Sequence, residues 1–207
     1  ALGLGCVKNE AMIIGEDAQV RLDEWGLKGG NSRNHVTAGG LHSCARISGG
    51  GLRCWGANDA GMDDYGQTDA PEGRFRDVSA GGLHTCGLSV DGSLECWGID
   101  DGSRMDQGQV TTAPEGEFVE ISAGAESNCA RDSEGGIECW GYDGSGVVQS
   151  APTDTGFVQV ETGWGHACAL NSDFEAVCWG ESDDGEQEVP PGEYVQVSAG
   201  GDHSCVL

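Results

Sequence analysis

Ser79-Ala-Gly-Gly-Leu-His84-Thr-Cys86-Gly-Leu-Ser-Val-Asp91-Gly92-Ser-Leu-Glu-Cys96-Trp97-Gly98 is the stretch that decides the fold. Asp91-Gly92 lies midway between the two cysteines, and a short loop with Gly in the left-handed conformation is a common hairpin closure. The flanks then run antiparallel and bring Cys86 opposite Cys96. Cα atoms of a non-hydrogen-bonded antiparallel pair lie about 4.5 Å apart, at the short end of what a disulfide bridges. In the chain-entropy model such a bridge contributes about 3 kcal/mol before strain is subtracted.

The pattern recurs in His42-Ser-Cys44 to Cys54-Trp55-Gly56, Ser127-Asn-Cys129 to Cys139-Trp140-Gly141, and His166-Ala-Cys168 to Cys178-Trp179-Gly180. The second Cys always stands ten positions after the first. A fifth copy, Ser198-Ala-Gly-Gly-Asp-His-Ser-Cys205, runs into the C-terminus, and Leu2-Gly-Leu-Gly-Cys6 resembles its missing second strand. The predicted pairs are Cys44–Cys54, Cys86–Cys96, Cys129–Cys139, Cys168–Cys178 and Cys6–Cys205. The last would contribute about 5 kcal/mol, because it restrains nearly the whole unfolded chain. A period of about 40 residues fits a four-stranded propeller blade. The expectation is an all-β, five-bladed β-propeller forming one domain over residues 1–207. Its fifth blade is split between 195–207 and 1–8, and the ring is closed by pairing of the N- and C-terminal strands. Phe174 stands where the other hairpins have Gly, which predicts a different turn there.

Between the hairpins, acidic Gly-rich stretches follow each Trp-Gly, then turn at Pro71, Pro114, Pro152 or Pro190-Pro191 into strands such as Phe118-Val-Glu-Ile-Ser. Alternating apolar residues read as half-buried strand. Lys8 to Arg33 is the longest connection and suits an extra loop or a short helix. The 207 residues hold 37 Gly and 10 Lys+Arg against 35 Asp+Glu, a net charge of −25. Such a surface repels phosphate backbones, so nucleic acid is an unfavoured partner. No apolar run is long enough to span a membrane as a helix. Ala1 to Gly5 is too short for a signal peptide, so the sequence reads as a mature form or part of a longer chain. Ten cysteines without a Cys-x-x-Cys pair point to disulfides over metal sites, hence to a secreted or extracellular, oxidising location.

Ala-Gly-Gly-x-His-x-Cys, then Asp-Gly-Ser-x-x-Cys-Trp-Gly, then Gly-Gln resembles the regulator-of-chromosome-condensation repeat, in the Cys-paired form of bacterial secreted proteins. The resemblance covers essentially the whole chain, most weakly at Lys8 to Arg33. It implies a β-propeller, in a family whose members serve as exchange factors, chromatin binders and a β-lactamase inhibitor. Propellers host unrelated activities, so the fold by itself assigns no function.

Residues shared by all repeats serve the repeat. His42, His84, His166 and His203, with Ser127 in the remaining place, therefore read as residues that hydrogen-bond neighbouring backbone and fix the strand-to-strand transition, not as a metal ring. Trp55, Trp97, Trp140 and Trp179 read as packing between blades. Candidate binding residues are the aromatics outside the repeat pattern: Trp25, Tyr65, Tyr142 and Trp164. Acidic clusters (Asp59 to Asp64, Asp100 to Asp106, Asp183 to Glu186) carry the oxygens that Ca²⁺ takes, but none matches an EF-hand loop, and solvated loops account for them. No other cofactor and no catalytic constellation is expected. The expected function is a non-enzymatic interaction module binding a protein or cell-surface partner, within an extracellular assembly or alone. The alternatives are a glycan-binding lectin and an inhibitor of a secreted enzyme.

Overall fold

The computed structural model describes residues 36–57 and 64–207, and the backbone of residues 5–6. The expectations on Trp25, on Lys8 to Arg33 and on Asp59 and Asp63 fall outside the described residues. Those described form fifteen strands and no helix, in five antiparallel sheets of three strands each. Blade 1 is β2 (Val36–Ala38), β3 (His42–Arg46) and β4 (Leu52–Gly56). Blade 2 is β5 (Phe75–Ala80), β6 (His84–Ser89) and β7 (Leu94–Gly98), and blade 3 is β8 (Phe118–Ala123), β9 (Ser127–Asp132) and β10 (Ile137–Gly141). Blade 4 is β11 (Phe157–Thr162), β12 (His166–Asn171) and β13 (Ala176–Gly180). Blade 5 joins the two ends of the chain: β14 (Val197–Ala199) and β15 (Ser204–Val206) pair with β1 (Gly5–Cys6).

The hairpin reading holds in register. Cys44 faces Cys54, Cys86 faces Cys96, Cys129 faces Cys139 and Cys168 faces Cys178, all four pairs bonded with Cα atoms 4.0 to 4.1 Å apart. Cys205 is disulfide-bonded, and its cross-strand partner in the backbone register is Cys6. The Cys6 side chain lies outside the described residues.

Two expectations are corrected. Among the described residues each blade has three strands, not four. The stretch after Trp-Gly lacks the alternation a fourth strand needs, and its side chains bond its own backbone instead. Asp143, for example, accepts the N–H groups of Val148 and Gln149. The fourth hairpin also turns as the others do. Phe174 takes φ +66°, against +90°, +95° and +85° at Gly50, Gly92 and Gly135, and its N–H bonds Asn171 O as theirs bond the residue three before. Phe174 therefore bears a left-handed backbone that costs a non-Gly residue about 1–2 kcal/mol.

The apolar core is divided into slabs between neighbouring blades. Leu88 of blade 2 packs with Phe118, Ile121 and Trp140 of blade 3, and Ile137 of blade 3 with Phe157, Val160 and Trp179 of blade 4. Leu170 of blade 4 packs with Val197 and Val206 of blade 5. Towards the axis the backbones meet more closely. A Cβ at Gly39, Gly81, Gly124 or Gly163 would collide with the carbonyl oxygen of the equivalent Gly in the next blade, which is why the Ala-Gly corner is built of small residues.

A polar relay also crosses the junctions. His42 Nε2–H donates to Thr85 Oγ1 at 2.7 Å, and Thr85 donates in turn to Gln67 O at 2.9 Å. His84 donates to Asn128 Oδ1 at 2.6 Å while Asn128 Nδ2 donates to Gln109 O at 3.0 Å. His166 donates to Ser204 Oγ at 2.9 Å, and Ser204 donates to Glu186 O at 3.0 Å. The accepting carbonyls belong to the Gly-Gln column of the loop after each Trp. The same column receives indole N–H groups: Trp97 bonds Gln67 O, Trp140 bonds Gln109 O and Trp179 bonds Val147 O, which is in no relay, all at 2.9 to 3.0 Å. The histidines of blades 1, 2 and 4 thus bond side chains of the next blade, and not the neighbouring backbone expected of them. Among the described residues no bond of these kinds joins blade 5 to blade 1, where His203 and Trp55 are exposed. The loop that would receive the Trp55 indole by the pattern of the other blades lies outside the described residues.

Candidate functional site

Two columns of the repeat converge at the axis. The first is the corner between the inner and middle strands: Gly40-Leu41, Gly82-Leu83, Ala125-Glu126, Trp164-Gly165 and Gly201-Asp202. The second is the residue that follows Trp-Gly. The two columns touch, because Ala57, Ile99, Tyr142 and Glu181 donate their backbone N–H groups to the carbonyls of Leu41, Leu83, Glu126 and Gly165. Variation in these columns is therefore displayed at one place, on a frame that does not vary.

The place is a mouth opening on the axis. A cavity of about 470 Å³ is walled by the five Ala-Gly corners. A second, of about 510 Å³, shares Gly40, Gly82, Ala125 and Trp164 with it and spreads over Leu41, Leu83, Met105 and Tyr142. Trp164 occupies a position where the other four blades carry Gly or Ala, and it is 71% exposed. Its backbone is held by a bond from its N–H to Gly200 O, and its ring lies against Gly201. Unlike those of Trp97, Trp140 and Trp179, its indole N–H has no partner among the described residues.

The wall is apolar on the side of blades 1 and 2, with Leu41, Leu83 and Met105. It is acidic on the side of blades 3 to 5, with Glu126, Glu181 and Asp202. Deeper, buried His84 has its pKa pushed down to about 4 by desolvation, and burial lowers His42 and His166 as well. On inner strand β5, buried Asp77 is raised to about 7, first by desolvation and then by the neighbouring charges of Glu120 and Glu161. These groups shape the stability of the frame and lie outside the walls of the mouth.

Of the four aromatics singled out in the sequence, Tyr142 and Trp164 come together at the mouth. Tyr65 does not. It is half-buried in the loop after blade 1, where its N–H bonds Gln67 Oε1. The acidic loops spend oxygens on their own turns: Asp101 accepts the Ser103 N–H and Asp106 the N–H groups of Gly102 and Gly108. Among the described residues no three acidic, His or Cys side chains converge as metal ligands do. Reading single residues missed Leu41, Met105, Glu126, Glu181 and Asp202. Aligning the corner column of the five repeats is the signal that finds three of them.

The family model of the regulator of chromosome condensation (RCC1) repeat matches residues 75–109 and 157–186, that is, parts of blades 2 and 4 with the loops after them. No curated relative matches the sequence. Among solved structures, the ectodomain of the receptor kinase CR4 from Physcomitrella patens is similar at 28% identity and TM-score 0.60, over 80% of this chain and 43% of that one. Human WBSCR16 is similar at 21% identity and TM-score 0.65, over 87% of this chain and 59% of that one. Prp20p of Saccharomyces cerevisiae follows at 18% identity and TM-score 0.62, over 83% and 54%. The chain spans about half the length of these structures. With its repeated corners and its bonded cysteine pairs, the chain is a β-propeller whose blades 2 and 4 carry segments that match the RCC1 repeat.

Proposed function

We propose that this propeller is a secreted, non-enzymatic interaction module, one domain over residues 1–207, that binds a protein or surface partner through the axial mouth. The observation that carries the reading is Trp164, an exposed indole in a column that is otherwise Gly or Ala. Burying a large aromatic side chain is among the strongest contributions a contact makes to an interface, and Trp is enriched at such hot spots. Tyr142 and Met105 beside it enlarge the apolar centre, and the carboxylates form a polar rim. Protein binding has precedent in the fold, since a structurally similar Prp20 structure is a complex with Kap60. Bonded cysteine pairs fit an oxidising compartment.

Capture from the native secretome, compared between the wild type and a Trp164→Ala/Tyr142→Ala double variant, tests the reading. The wild type retains a partner that the variant loses, while the folded spectra of the two coincide. Equal capture by both would contradict the proposal. Retention of glycans instead of protein, read on an array, would replace it with the lectin alternative.

A further inference from the structure

The chemistry of the mouth narrows the partner. We infer that it receives a cationic side chain, that of an arginine on an extended segment of the partner protein, laid on the Trp164 ring. This inference rests on the reading of the mouth as the binding face.

Three observations support it. First, Glu126, Glu181 and Asp202 all line the cavity, and none of their carboxylates has a hydrogen-bond or ion-pair partner among the described residues. They come from three different blades. Glu181 and Asp202 are exposed and Glu126 is half-buried, so all three can face a ligand at little desolvation cost. Second, no Lys or Arg is among the described residues that wall either cavity. Third, Trp164 offers an uncovered indole face beside that charge. A cation over an indole is held by the ring's negative face, and a guanidinium stacks there better than a compact ammonium does. Its planar fork can meet carboxylates at the edge while its plane lies on the ring. The apolar side of the wall, Leu41, Leu83 and Met105, suits the aliphatic stem of such a side chain. A chain carrying −25 adds a long-range field that draws a basic segment in and repels an acidic one. The acidic side of the wall thus selects, and Trp164 holds.

The test is a titration followed by the ¹⁵N–¹H signal of the Trp164 indole, identified by its absence from the Trp164→Ala variant. Three heptapeptides differ only at the central residue: Arg, its neutral isostere citrulline, or Glu. The Arg peptide shifts the signal saturably, and citrulline binds at least ten-fold more weakly. Raising the salt from 50 to 500 mM weakens the Arg peptide several-fold and leaves citrulline unchanged. Glu181→Gln/Asp202→Asn lowers Arg affinity towards that of citrulline without moving the unfolding temperature. If Arg and citrulline bind alike, or the Arg peptide moves no Trp164 signal at any concentration, the inference is overturned. Should the Trp164→Ala/Tyr142→Ala variant nonetheless lose the native partner, the binding face stands and only its cationic specificity falls. Should the variant also keep the partner, the face itself is wrong.

Discussion

The junction of blades 2 and 3 and the junction of blades 3 and 4 solve one packing problem in opposite ways. In the first, His84, Asn128 and the Gln109 carbonyl form a buried relay. In the second, the equivalent positions are Ser127, Ala167 and Val147, and the relay is absent. The three positions lie far apart in sequence yet change together. A buried donor or acceptor left without its partner costs about 1–3 kcal/mol, whereas removing a whole set by shape-compatible apolar groups is nearly neutral. Removing only one member is therefore the expensive option, and the chain avoids it. The indole bond is independent of the relay: Trp179 still reaches Val147 O, because a carbonyl is available whatever the side chain.

Breaking the polar junction in half has a large expected effect. Asn128→Ala strands the His84 Nε2–H and takes one bond from Gln109 O, a loss of about 3 kcal/mol in chemical denaturation. A His84→Ser/Asn128→Ala/Gln109→Val triple variant, which copies the apolar junction, should regain most of that loss. If the triple variant is the less stable of the two, the junctions are not interchangeable solutions and the comparison fails.

Much of this was legible in the sequence, and the limits have physical causes. Equal Cys intervals and Gly-centred turns settle the hairpins, and the cysteines at the two ends settle the split blade, because hairpin geometry is local. Phe174 misled, since a residue's propensity yields when a bond from its N–H to Asn171 O and one from Tyr194 N–H to its own carbonyl hold the turn. The acceptors Thr85, Asn128 and Ser204 were invisible as partners, because each stands on the blade after its histidine. Trp164 and Tyr142 stood out because they break the repeat. Glu126, Glu181 and Asp202 did not, hidden among 35 acidic residues until the fold brought two columns together.

A smaller effect is the pH dependence of the relays. The folded pKa of His84 is about 4, below its ordinary 6.5, so the fold favours the neutral ring. Stability from this group is full above pH 6.5 and is lost as pH falls towards 4, a change of up to about 3 kcal/mol. Asp77 works in the opposite sense. Its folded pKa of about 7 lies above 3.8, so its stability is full below pH 4 and is lost as pH rises through 7. Unfolding free energies from pH 4 to 8 should therefore fall more steeply towards acid in Asp77→Asn, where only the histidine term remains. They should fall less steeply in the triple variant, which lacks His84. An Asp77→Asn profile parallel to wild type would remove Asp77 from the account.

The smallest expected effect on stability belongs to the residue with the largest expected effect on binding, and the two kinds of tryptophan make the sharpest pair. Trp140 is 4% exposed and bonded to Gln109 O, whereas Trp164 is 71% exposed and its indole N–H has no partner among the described residues. Parallel thermal and chemical unfolding of Trp140→Ala and Trp164→Ala asks directly whether the repeated residues carry the frame and the unrepeated ones the recognition. Trp140→Ala should lose about 3–5 kcal/mol, while Trp164→Ala should stay within about 0.5 kcal/mol of wild type. Equal losses in the two variants would contradict that division.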